Sequence, residues 1–225
     1  MNLFKEPRIA VIVAAYNQEK YIGRCLRSLL HQTLPHSEYE IIVVNDGSND
    51  MTGFAISQFC DPFESTIKVI DNKENIGLPA SLNKALRHAQ AELVVRVDAD
   101  DYVNENFLHF LTFYFDNNQN ADAVACDYFL VDDHENIQSR CIASVEPIGC
   151  AVLFRRKDLF DIGLYDESFL SNEDKELMIR FVKKFNIAYL DVPLYRYRKH
   201  ETNMTNNEDR MRKFDHALQL KHKLK

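Results

Sequence analysis

The sequence predicts an α/β fold: a mostly parallel sheet flanked by helices, followed by a smaller and less regular region. Three observations predict it. Short, continuous apolar runs recur through the first hundred residues, as strands covered on both faces read. Apolar residues at helical spacing lie between those runs. Strand and helix then alternate strictly, which means a parallel sheet built of right-handed crossovers.

Ile9-Ala10-Val11-Ile12-Val13-Ala14-Ala15 is the first strand, and Ile22, Cys25, Leu26, Leu29 and Leu30 mark the first helix. Glu40-Ile41-Ile42-Val43-Val44 is a second buried strand, broken by Asp46-Gly47, and Ala55, Ile56, Phe59 and Cys60 form a second helical stripe. Ile67-Lys68-Val69-Ile70 is the third strand. Leu78, Leu82, Ala85, Leu86 and Ala89 make the third helix, where Pro79 is tolerated in the first turn. Leu93-Val94-Val95-Arg96-Val97 is the fourth strand and leads into Asp98-Ala99-Asp100-Asp101. Beyond it, Phe107, Phe110, Leu111 and Tyr114 mark a helix, 123–131 reads as a strand and 132–136 as a turn. A helix is expected over 174–185, then two short strands at 187–190 and 194–198 with Pro193 between them, and a basic, loosely amphipathic tail over 210–225.

A chain of 225 residues with 46% hydrophobic content reads as one domain able to bury a core. Residues 1–8 lack the apolar centre of a signal peptide, and no run approaches the roughly 18–20 apolar residues that span a bilayer. A net charge of −7 argues against nucleic-acid binding, which needs a basic face. The five cysteines are scattered without a CxxC pair, so reduced, mostly buried thiols in a cytoplasmic protein are expected.

In parallel sheets ligands bind beyond the carboxyl ends of the strands, where strand order reverses. Those ends carry Ala15-Tyr16-Asn17, Asn45-Asp46-Gly47-Ser48, Asp71-Asn72 and Asp98-Ala99-Asp100-Asp101, so one rim gathers polar residues from separate parts of the chain. Three carboxylates in four residues repel one another unless a hard dication, Mg²⁺ or Mn²⁺, neutralises them. The bland alternative is an acidic cap on a helix starting near Tyr102. Asp46-Gly47 joins strand to helix rather than strand to strand, which leaves the Asp46 carboxylate free to accept from a base or ribose. No GxxxxGK[ST] or GxGxxG run is present, so phosphates would be held by metal and side chains. Glu173-Asp174 opens the late helix, either as an ordinary acidic first turn or as a base facing the cleft. Tyr195-Arg196-Tyr197-Arg198-Lys199-His200 is either a charged edge strand or a diphosphate contact, with His200 as a metal ligand.

Ala14-Ala15-Tyr16-Asn17, Asn45-Asp46-Gly47-Ser48, Asn75-Ile76-Gly77-Leu78, Arg96-Val97-Asp98-Ala99-Asp100-Asp101, Glu173-Asp174 and Tyr197-Arg198-Lys199-His200, in that order, resemble the family 2 glycosyltransferases. The resemblance runs from about residue 8 to residue 205. It implies a GT-A fold, Rossmann-like, with residues 8–100 as the nucleotide-sugar half, 101–205 as the acceptor-side half and 206–225 as a basic tail. It implies an inverting, metal-dependent transfer of a sugar from a nucleotide-sugar donor, UDP-linked, to a glycan or lipid-linked acceptor in polysaccharide synthesis. Asp46 would contact the base with Ala15 and Asn17 beside it; Asn75, Arg96 and Asp98 would face the donor. Asp100 would ligate Mn²⁺ or Mg²⁺, with Arg198 and His200 at the diphosphate, and Asp174 would be the general base. The chain departs from the family at Asn45, where a second Asp is frequent.

Two rival readings use the same rim: a metal-dependent nucleotidyl or phosphoryl transferase, and a pocket that binds nucleotide sugars without catalysis. The tail, with Arg210, Arg212, Lys213, Lys221, Lys223 and Lys225 beside Met211, Phe214 and Leu218, is expected either to be solvated or to rest on an anionic membrane surface.

Overall fold

The computed structural model describes residues 6–60 and 66–223; residues 1–5 of the leader region and Lys225 of the tail lie outside the described residues. The first half follows the expected alternation. Strand β1 (Ile9–Ala15) leads to helix α1 (Ile22–Leu30), β2 (Tyr39–Asn45) to α2 (Thr52–Ser57), and β3 (Ile67–Asp71) to α3 (Leu78–His88). Strand β4 (Leu93–Arg96) ends at the acidic turn. These four strands are all parallel and stand in the order β3-β2-β1-β4.

Alternate residues of β1 serve the two faces of the sheet. Ile9, Val11 and Val13 pack with Cys25, Leu26 and Leu29 of α1, whereas Ala10 and Ile12 pack with Leu82, Ala85 and Leu86 of α3. Burial on both faces is why the strands read as unbroken apolar runs. β3 is the exception: it closes the edge, and most of its side chains meet solvent.

The second half is where expectation and structure part. No helix begins near Tyr102; Tyr102–Val103 is a short strand, β5, and the helix α4 starts five residues later and spans Phe107–Asn117. β6 (Ala123–Val131) and the turn after it stand as expected, but the chain then returns as β7 (Ile137–Cys141). β8 (Val152–Arg155) and the short α5 (Arg156–Asp161) were not visible in the sequence. β8 inserts antiparallel between β4 and β6, so the sheet is parallel in its first half and mixed in its second. Helix α6 (Glu173–Phe181) is shorter than the expected 174–185, and Val182 beyond it is exposed. The two expected strands around Pro193 are one twelve-residue strand, β9 (Ile187–Arg198), whose register against β6 shifts at Asp127, opposite Pro193. The missing proline N–H is accommodated at that irregularity.

The tail is an ordered helix, α7 (Glu208–His222). Its apolar side does not face outward: Leu218 is buried, the Phe214 ring stands 6.0 Å from Phe169, and Met211 lines the central cleft. Lys221 reaches Asp166 at 2.5 Å and the fully buried Glu176 of α6 at 2.6 Å, and Arg210 bonds the Ser171 hydroxyl and the Leu170 carbonyl. Met211, Phe214 and Leu218 are thus turned onto the domain, whereas Arg212, Lys213 and Lys223 stay exposed. Among the described residues, no helix is long and apolar enough to cross a membrane.

Phe181 is fully buried, edge-on to Phe154 at 5.0 Å and 5.1 Å from Phe185. Phe181→Ala should cost about 3–5 kcal/mol, read as a lower urea midpoint. Partial burial raises the Asp166 carboxyl, but the bonds from Lys221 and Ser168 outweigh it and bring it down to about 2. The contribution of this acid to stability is therefore full above its unfolded value of about 3.9 and lost as pH falls toward 2. Asp166→Asn should be less stable than the parent at pH 6, with the gap closing by about pH 2; a gap independent of pH would show that the pairing contributes nothing.

Candidate active site

β1 has β2 on one side and β4 on the other, which is the point where strand order reverses. A cleft of about 1010 Å³ opens there, beyond the carboxyl ends of the three strands. Three walls enclose it.

The first wall is made of the loops after β1, β2 and β3. Asp46 sits in it, 2% exposed, accepting from the Asn72 amide at 2.8 Å and from the backbone N–H groups of Ile76 and Gly77 at 2.9 and 3.0 Å. Its carboxylate therefore staples the 72–77 loop to the end of β2. Gly47 follows with φ +67°, and a side chain there would run into the backbone of Glu74 and Asn75 at 2.4–2.8 Å, so only glycine permits the loops to touch. Asn75 accepts from Gly77 N–H at 3.1 Å and lines the cleft, as does Ala15. Asn17 behaves differently: its side-chain oxygen accepts from Asn49 N–H at 3.0 Å, and it is not among the residues that line the cleft.

The second wall is the turn after β4. Asp98 and Asp100 line the cleft, while Asp101 points back into the protein, 2% exposed. The buried Tyr195 hydroxyl donates to Asp101 at 2.7 Å and accepts from Asp98 N–H at 3.1 Å, and Arg198 N–H donates to the other Asp101 oxygen at 2.7 Å. β9 thus clamps the turn from behind. Burial pushes Asp101 well above the usual carboxylate range, and Asp100 and Asp98 push it further. Burial raises Asp98 too; Arg96 opposes the rise, and Asp100 and Asp174 add to it. Asp98 and Asp174 both line the cleft, from the turn after β4 and from the start of α6.

The Arg198 guanidinium does not reach the cleft. It is 3% exposed, bonded to the carbonyls of Asp100 (2.9 Å) and Asp133 (3.3 Å) and to Glu135 (3.1 Å), between the rings of Tyr21 and Tyr102. Through these bonds Arg198 supports the acidic turn, and it is not among the residues that line the cleft. His200 lies nearer. Its Nε2 is 3.0 Å from Asp100 Oδ2, its Nδ1 is 2.9 Å from the Thr202 hydroxyl, and its ring stacks on Tyr21, but it does not line the cleft.

The third wall is the start of α6 with the 147–150 segment. Asp174 lines the cleft; one carboxylate oxygen takes Lys175 N–H at 2.8 Å. Gly149 lies so close that a side chain there would overlap Asp174, with 2.1 Å to its Cβ. Arg96, 6% exposed, spans the second and third walls. It grips Asp98 through Nε at 2.6 Å and Nη2 at 3.2 Å, and donates from Nη1 to Glu173 at 2.9 Å.

Asp46, the Asp98 and Asp100 pair, and Asp174, from three separate parts of the sequence, therefore share one cleft. Among the described residues, Asp98, Asp101 and Cys150 bring potential metal-ligating atoms within 4.8 Å of one another. Both Asp101 oxygens are already bonded, and burial pushes the Cys150 thiol well above its ordinary range. Oxygen donors suit a hard dication better; both Asp98 oxygens are held by Arg96, so the residues that could hold such an ion are the cleft-facing Asp100 and His200 beside it. Sequence reasoning missed Tyr195 as a brace behind the site, and missed Arg210 and Met211, which line it from α7. Tyr195 was legible only as one of several residues in a basic run, and Gly149 lay in the stretch without a clear period.

The Glycosyl transferase family 2 sequence model matches residues 10–175. The chain is 39% identical over 102 residues to the poly(ribitol-phosphate) beta-N-acetylglucosaminyltransferase TarS of Staphylococcus aureus, covering 45% of this chain and 18% of that protein. It is 36% identical over 118 residues to an uncharacterized glycosyltransferase of Haemophilus influenzae, covering 52% and 36%. The chain thus spans well under half the length of these relatives. S. aureus TarS residues 1–349 in complex with UDP-GlcNAc matches with a TM-score of 0.78 and 26% identity, over 89% of this chain and 61% of that one. The fold also matches the mannosyltransferase PcManGT from Pyrobaculum calidifontis in complex with GDP-Man and Mn²⁺, with a TM-score of 0.72 and 19% identity over 92% and 61%. The sheet order, the acidic cleft at its switch point and the match over most of the sequence agree: the chain belongs to glycosyl transferase family 2 and has the GT-A type of fold.

Proposed function

We propose that this chain is the catalytic domain of an inverting glycosyltransferase. It moves a sugar from a nucleoside-diphosphate sugar, UDP-linked, to a hydroxyl of a glycan or lipid-linked saccharide during cell-surface polysaccharide synthesis. The observation that carries this reading is the convergence of Asp46, Asp98, Asp100 and Asp174 on one cleft. The named activity of TarS and the UDP-GlcNAc in its structure support a UDP-linked donor and a polymeric acceptor.

Roles follow from position. Ala15, Asn75 and the loop stapled by Asp46 form the floor against which the nucleoside packs. Because its carboxylate already holds three N–H groups, Asp46 acts on the base chiefly by shaping that floor. Asp98 faces the donor. Asp100, with His200, would hold Mn²⁺ or Mg²⁺, which stabilises negative charge on the departing diphosphate. Asp174 takes the proton of the acceptor hydroxyl as that oxygen attacks the anomeric carbon from the face opposite the diphosphate. One oxygen of Asp174 is occupied by Lys175 N–H, and the other is the proton acceptor. The reduced, buried thiols of Cys25, Cys126, Cys141 and Cys150 support a cytoplasmic setting.

The purified chain, incubated with UDP-sugars, a panel of saccharide acceptors and Mn²⁺ or Mg²⁺, should release UDP and form a glycoside of inverted anomeric configuration. Release of pyrophosphate would establish a nucleotidyl transferase instead, and donor binding without turnover would leave a binding module. Asp174→Asn should lower turnover by about 10²–10⁴-fold while a UDP-sugar still raises the melting temperature as in the parent. Near-parental turnover in that variant would remove Asp174 from the role of base.

A further inference from the structure

We infer that Arg96 is a positioning residue, tying the donor-side carboxylate Asp98 to the helix start that carries Asp174, and is not itself a contact of the donor. The inference rests on the transfer reaction proposed above. Three hydrogen bonds carry it: two N–H groups along one edge of the guanidinium hold Asp98, and an N–H of the remaining nitrogen holds Glu173. The Arg96 and Glu173 side chains are 7% and 6% exposed. The backbone of Arg96 is fixed as well, since it pairs with Ile12 of β1 and its carbonyl accepts from Ala151 N–H. An arginine immobilised at the strand and forked at its tip is a rigid strut between two walls of the cleft.

Glu173 is the first residue of α6, and Asp174 is joined to it by one peptide bond. Asp174 is confined on its other side by Gly149. Its approach to the acceptor hydroxyl is therefore set by two restraints, the Arg96–Glu173 pair and the Gly149 backbone. The preceding Asn172 lies in the left-handed region, φ 58°, and its side chain is bonded to Asp215 of α7, so the helix entry has little freedom of its own. Removing the strut would leave the buried Glu173 and the half-buried Asp98 without the cation they share, and the helix start would move away from Asp98. A lysine keeps the charge but cannot present three aligned N–H groups to two carboxylates.

The test compares Arg96→Lys, Glu173→Gln and the double variant with the parent, varying UDP-sugar and acceptor separately. Misplacement of a base by about 1 Å costs on the order of 10²-fold in rate, so Arg96→Lys should lower kcat by about that factor. Its donor KM should stay within about threefold, and the melting-temperature rise caused by UDP with Mn²⁺ should equal that of the parent. Glu173→Gln should show the same split with a smaller loss, and the double variant should be little worse than Arg96→Lys, since both changes cut one strut. A raised donor KM with kcat retained would make Arg96 a donor contact and overturn the inference. So would losses that simply multiply in the double variant. If Arg96→Lys does not fold, Glu173→Gln alone decides: an unchanged kcat sinks the strut. A parent that turns over no UDP-sugar would instead fail the proposed reaction.

Discussion

Crowding of negative charge is the constraint around which this domain is arranged. Asp98, Asp100, Asp101, Glu173 and Asp174 are brought to one end of a cleft, and leaving even one buried charge without a partner costs several kcal/mol. The domain meets that demand from three directions. Arg96 enters from the sheet and offsets Asp98 and Glu173 together. Tyr195 and the Arg198 backbone come from β9 and satisfy Asp101. His200, just past the end of β9, reaches Asp100. The long strand β9 is thus as much a part of the site as the turn it supports, although most of its polar groups never face the cleft.

Legibility in the sequence followed the strength of local periodicity. The four parallel strands and their helices are covered on both faces, so their apolar runs are unbroken and their positions can be read directly. The same alternation located the rim, because chain topology alone puts the ends of β1, β2 and β4 side by side. The region between 132 and 172 resisted, since β7 is exposed and β8 is only four residues long. Nothing local distinguishes an antiparallel insertion from a loop there. Residue roles were less legible than residue places. The side chains of Asp46, Arg198 and Asn17 bond Ile76 N–H, the Asp100 carbonyl and Asn49 N–H, partners that only the folded chain supplies. Side-chain direction at a strand end depends on neighbours dozens of residues away, which no spacing rule records.

The C-terminal helix shows the same limit from another side. Its basic composition suggested an outward-looking surface, but Lys221 and Arg210 turn inward, and Met211 reaches the cleft. The cleft is therefore shaped in part by residues that follow the last strand, beyond the match to the family model, which ends at 175.

The antiparallel strand β8 hydrogen-bonds to β4 on one side and to β6 on the other. The segments before and after residue 100 consequently share one uninterrupted sheet rather than meeting across a hinge. Cutting the chain between them would strip β4 of its neighbour and present an apolar edge ready to recruit strands from other molecules. For protein engineering, the exchangeable unit is the whole sheet, and chimaeras joined near residue 100 are expected to precipitate rather than to recombine specificities.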